Sequence, residues 1–151
     1  MKTFVAMSRT SLLIVVTAVA VGGASQAEKV DHTANDEVKV TQLSQRDIIE
    51  KLDGKESSAT VLEVTLGPGQ KDAPHRHAGP VFGYVLEGEY AHAINDDPVK
   101  TYKAGDTFYE PTGSVHRIAQ NPNAKTKTRL LAVILHPRDI KNPTTWLKPK
   151  R

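Results

Sequence analysis

Short apolar runs broken by Gly, Pro and Asn turns recur from Val38 to Leu135, and most alternate with the period of two that a strand imposes on its faces. Val38 to Leu43 alternates in this way. Ser44 to Leu52 breaks the rhythm: with Ser44 as a cap and Ile48, Ile49 and Leu52 facing inward, it predicts a helical turn or two. Asp53-Gly54 marks a turn, and Ala59 to Leu66 predicts a strong strand closed by Gly67-Pro68-Gly69. Val81 to Leu86 is a nearly unbroken apolar run, which predicts a buried strand with Phe82 and Tyr84 in the core. Glu89 to Ile94 continues it past a bend at Gly88, and Asn95-Asp96-Asp97-Pro98 predicts a hairpin turn. Val99 to Tyr102, Asp106 to Glu110, Ser114 to Ala119 and Leu130 to Leu135 add further short strands. Many short strands with almost no helix predict a single all-β domain, a barrel or a sandwich.

The first residues follow other rules. Lys2 and Arg9 precede the apolar run Ser11 to Val21, which is short for a membrane span, and Ser25-Gln26-Ala27 supplies the small residues of a cleavage site. Residues 1–27 are therefore predicted to be a secretory signal peptide, cleaved before Glu28, and the protein to be periplasmic or secreted with no membrane contact after cleavage. Residues 28–37 are polar and read as a flexible lead-in, 38–140 as the barrel, and 141–151 as a tail ending in Lys148-Pro149-Lys150-Arg151. Loss of Lys2 and Arg9 takes the formal charge from +3 to +1, so the mature protein is barely basic. No basic stripe interleaved with aromatics is present, which argues against a nucleic-acid partner. The chain has no cysteine, which removes disulfides and thiolate chemistry and leaves an exported domain to its core alone.

Candidate chemistry concentrates in His75-Arg76-His77 and in Pro111-Thr112-Gly113-Ser114-Val115-His116. Histidines at i and i+2 of a strand point the same way, and a third beyond a Pro/Gly turn can close three imidazoles around one metal ion. Imidazole suits iron, zinc, nickel and copper, and three protein ligands leave open positions for water or substrate. Read instead as surface histidines beside Pro74, His75 and His77 leave the second segment unexplained. Arg76 alternates away, while Pro74 and Pro80 bracket the strand and stiffen it. Gly83 is expected to leave space near the metal. His32, His92 and His136 lack partners at useful spacing and read as ordinary polar residues, His92 facing solvent. Tyr109 and Glu110, just before Pro111, are the nearest further candidates: Glu110 as an acceptor for an imidazole N–H, against the commoner solvent-facing carboxylate.

In order and spacing these segments resemble the two motifs of the cupin superfamily. Gly69, His75, His77 and Gly88 fall in the places of the first motif, and Gly105, Pro111, Gly113 and His116 match the second. The resemblance implies a single cupin-type, jelly-roll-like antiparallel β-barrel with one divalent metal, whether iron, manganese, zinc, nickel or copper, bound by His75, His77 and His116. Where the family carries a glutamate, seven residues before Gly88, this chain has Val81, and Gln120 followed by Asn121 stands where an asparagine is common. Three histidines without that carboxylate would leave the ion's charge uncompensated and favour an anionic or enolate oxygen. Some cupins with such a shell are iron dioxygenases. The expectation is a metal-dependent, dioxygenase-like enzyme acting on a small oxygen-bearing organic molecule, the alternative a non-catalytic metal or small-molecule binding cupin. A third class, a metal-free sugar- or signal-binding barrel, would make the histidines coincidental. The resemblance also implies pairing into a homodimer through an edge strand or outer sheet face, with Trp146 covering an apolar patch of the barrel or of a partner.

Overall fold

A computed structural model describes residues 38–147. The expected signal peptide, the lead-in with His32 and the basic end of the tail lie outside the described residues. Ten strands run in chain order: β1 Lys39–Leu52, β2 Lys55–Leu66, β3 His75–His77, β4 Val81–Glu87, β5 Glu89–Ile94, β6 Lys100–Lys103, β7 Thr107–Glu110, β8 His116–Gln120, β9 Thr128–Pro137 and β10 Thr144–Trp146. They form two five-stranded sheets, β1-β2-β9-β4-β7 and β10-β3-β8-β5-β6, with every pairing antiparallel. This is the all-β domain the pattern predicts, in the jelly-roll-like form that the cupin resemblance implies. Its core gathers Leu66, Val85, Phe108 and Leu130 from the first sheet and Tyr90 and Ala119 from the second.

Three expectations are corrected. Ser44 to Leu52 is not helical but the second half of β1. Pairing with β2 satisfies its backbone down to Leu52, and register shifts at Gln42/Ser44 and Ile48/Lys51 reset the alternation, which is why its pattern lacks a clean period of two. Ile49 is consequently 92% exposed. Phe82 and Tyr84 lie on the outer face, with Val81, Gly83 and Val85 turned inward. An unbroken apolar run does not reveal which of its alternate positions faces the core, and a shift of one residue exchanges them all. Finally, the expected tail contributes β10, which pairs Thr144, Thr145 and Trp146 with His77, Arg76 and His75.

Two polar side chains are buried completely and find their partners within the protein. Asn121 is fully buried and donates from Nδ2 to the carbonyls of Gly67 (2.8 Å) and Thr126 (2.7 Å), while its Oδ1 accepts from the Asn123 amide (2.9 Å). His136 is equally buried, joined to Thr60 Oγ1 at 2.8 Å and to the Pro137 carbonyl at 2.9 Å. Both of its ring nitrogens are engaged there, away from the other histidines that the sequence singles out.

Candidate metal centre

β3 is three residues long, and alternation alone decides what it presents: His75 and His77 inward, Arg76 outward with its guanidinium donating to the Gly113 carbonyl at 2.7 Å. One neighbour of β3 is β10; the other is β8, where His75 pairs directly with His116. Cross-strand partners share a face, and the His75 and His116 rings stand 4.8 Å apart, with the His77 ring 4.9 Å from that of His75. The turn at Pro111–Gly113 is tied to the ligand strand by the Gly113 amide, which donates to the His77 carbonyl at 3.0 Å. Gly113 sits at φ 70°, a left-handed conformation that glycine adopts at no steric cost.

The rings are held from behind. His75 Nδ1 lies 2.8 Å from the Ala73 carbonyl, which can only accept, so that nitrogen carries the proton and Nε2 is left with its lone pair. Asp72 Oδ2 stands 3.7 Å from the same nitrogen. His77 Nδ1 meets Thr144 Oγ1 of β10 at 3.1 Å, and Tyr90 Oη meets His116 Nε2 at 3.3 Å.

Glu110 is the residue that the sequence placed least well. It is buried, 3% exposed, and its carboxylate sits in the middle of the histidines: Oε2 is 3.4 Å from His77 Nε2, and Oε1 is 3.2 Å from His116 Nδ1 and 3.4 Å from His92 Nε2. The expectation of a solvent-facing carboxylate is overturned, as is that of a solvent-facing His92, which is 5% exposed. Both follow from register. In the β4–β7 pairing Glu110 lies opposite Val81, the very position where the resemblance calls for a glutamate, so the carboxylate enters from the neighbouring strand. Tyr109, one residue earlier, must then face out; it is 52% exposed and packs on Phe82 at 5.3 Å. Gly83 serves Phe108 rather than a metal: a Cβ there would overlap the Phe108 ring, which packs against Tyr90 and His92 at 5.2 and 5.1 Å.

Electrostatics agree with the geometry. Burial alone would raise the Glu110 carboxyl, but His92, His116 and His77 around it hold it below the usual carboxylate range. Burial pushes His116 down to about 3 against the pull of Glu110, and lowers His77 in the same way. Neutral imidazoles beside an ionised carboxylate are the forms that bind a metal.

Two overlapping donor groups result, His75/His77/His116 and His92/Glu110/His116, each with ligand atoms within 4.8 Å of one another. His116 Nδ1 and His92 Nε2 are buried and face Glu110 without hydrogen-bond alignment. Buried polar atoms left in this way call for a partner, and nitrogen and carboxylate donors at this spacing could hold a divalent ion. The cluster opens on a cavity of about 80 Å³. Leu62, Val64 and Leu66 of β2 and Leu130, Ala132 and Ile134 of β9 form its apolar wall. Tyr109 is not part of that lining.

Two antiparallel sheets closing over a cluster of inward histidines define a double-stranded β-helix protein with the donors for a metal. Residues 62–134 match the family model described as cupin domain, and the chain is built around a small cupin domain. No curated protein matches the sequence. Among solved structures it is similar to an uncharacterized conserved protein with a double-stranded β-helix domain from Klebsiella pneumoniae subsp. pneumoniae MGH 78578, at 20% identity over 76% of this chain and 88% of that one, with a TM-score of 0.57. It is similar also to an oxalate oxidase, at 23% identity over 76% of this chain and 57% of that one (TM-score 0.56), and to a DMSP lyase, at 17% identity over 60% and 44% (TM-score 0.51). The chain thus spans little more than half of the oxalate oxidase and less than half of the lyase, and these likenesses carry the fold.

Proposed function

We propose that the protein is an exported small cupin that holds one divalent metal through His75, His77 and His116 and acts, in a dioxygenase-like manner, on a small oxygen-bearing organic molecule. The observation behind this reading is the convergence of three inward imidazoles on an apolar cavity whose wall also carries the ionised Glu110. A bound divalent ion would supply Lewis acidity, or dioxygen chemistry if it is iron. The protein's own part is to hold and to exclude. The Ala73 carbonyl and Thr144 hydroxyl fix the rings of His75 and His77, and the β2 and β9 side chains keep bulk water out. Glu110, carried by β7 and flanked by His92, offers an ionised carboxylate oxygen beside the cluster that can accept a hydrogen bond from a substrate hydroxyl and orient it.

Elemental mass spectrometry of the untagged protein, beside a His75→Ala/His116→Ala double variant, tests the metal site. About one equivalent of metal in the parent and its loss in the variant is expected. A parent that takes up no metal after reconstitution with each candidate ion overturns the reading. A parent that holds metal but converts none of a panel of phenols, diketones and hydroxy acids is a binding cupin instead.

A further inference from the structure

The same cavity specifies the kind of molecule it accepts, and the inference rests on the metal reading just given. Charged side chains in the cavity lining are Asp72 and Glu110; among the described residues neither Lys nor Arg lines it. The cations next to the histidines in sequence are turned away: Arg76 onto the Gly113 carbonyl, Arg117 onto the Asn95 and Asp97 carbonyls at 2.7 and 2.9 Å. A divalent ion beside two carboxylates leaves the pocket formally neutral. The uncompensated charge expected from the loss of a carboxylate at Val81 is therefore made up by Glu110. An anion entering this site would surrender its hydration without meeting a net positive charge or a cationic side chain, and burying an unpaired carboxylate is costly.

The rest of the lining favours the opposite kind of ligand. Alternate residues of β2 and β9 present one continuous aliphatic face, and Val40 and Trp146 extend it to the rim, where both are about half exposed (48% and 50%). We infer that the ligand is a small, neutral, largely apolar molecule with a single hydroxyl or enol oxygen, of the phenol type. Its oxygen is directed to the histidine cluster and its hydrocarbon body to the β2–β9 wall. Dicarboxylates and zwitterions are disfavoured.

The test is calorimetric titration of the metal-loaded full-length protein with p-cresol, toluene and oxalate, with the metal content of each sample measured in parallel. The expected result is p-cresol bound at least tenfold more tightly than either other probe, its advantage over toluene vanishing in the His75→Ala/His116→Ala variant. A Val40→Lys variant, altered at an exposed rim position, is expected to narrow the gap to oxalate severalfold. Oxalate binding as tightly as p-cresol, toluene binding as tightly as p-cresol, or no binding of p-cresol by a protein carrying its metal each overturns the inference while leaving the metal site standing. A protein that takes up no metal overturns the proposed function, and this inference with it.

Discussion

Glu110 shows how much one side chain changes when its strand is registered. Read in sequence it is a carboxylate next to a proline; in the fold it is 3.2–3.4 Å from three imidazoles. Because the chain keeps it ionised and buried, its charge rather than its volume is what the site uses. Glu110→Gln preserves the shape and removes the charge, so metal affinity is expected to fall by about 10–100-fold with the fold intact. Competition titration against a chelator, with circular dichroism as the structural control, measures this. An unchanged affinity would reduce Glu110 to a bystander. His92 has no equivalent signal in sequence, since nothing near it in the chain announces a partner. Its neighbours, Glu110 and His116, come from β7 and β8.

At the scale of elements, β4 and β7 act as a pair. Val81 faces Glu110 and Gly83 faces Phe108 across the ladder, and the glycine exists to admit that aromatic ring. Gly83→Ala forces the Phe108 ring toward Tyr90 and His92, and is expected to destabilise the protein by ~1–3 kcal/mol, read from the shift in urea midpoint. Metal affinity should fall as well, because His92 is displaced with the ring. A variant as stable as the parent would show that the ring has somewhere else to go. β10 makes a related point. As a sequence it is a short polar stretch in an apparent tail, yet it supplies Thr144 against His77 and Trp146 over His75, whose rings are 6.2 Å apart.

For the molecule as a whole, the buried cluster predicts sensitivity to acid before metal is added. His116 has its proton affinity lowered from the ordinary 6.5 to about 3, and His77 is lowered too. The unfolded chain therefore takes up protons first as pH falls below about 6.5, and the folded state loses stability progressively toward pH 3. Glu110, also held low, has the same sign: its contribution is present above the ordinary carboxylate range and is lost as pH falls through its folded value. The metal-free protein is expected to show a lower urea midpoint at pH 5.5 than at pH 7.5. Equal midpoints at the two values would mean that the cluster opens to solvent and takes up protons without unfolding.

The sequence by itself determined the all-β class, the inward pair His75 and His77, and the third histidine beyond a Pro/Gly turn. Each depends on local rules: strand alternation, turn residues and fixed spacing within a few positions. What only the tertiary structure decided is phase and company. Phe82 and Tyr84 face out, Tyr109 yields its place to Glu110, His92 turns inward, and Ser44 to Leu52 extends a strand through two register shifts. The physical reason is common to all of them. A strand has two faces one residue apart, and a local pattern rich in apolar residues or interrupted by bulges does not say which face is buried. Only pairing with strands distant in sequence makes that choice, and at β7 it carries Glu110 into the histidine cluster, across the ladder from Val81.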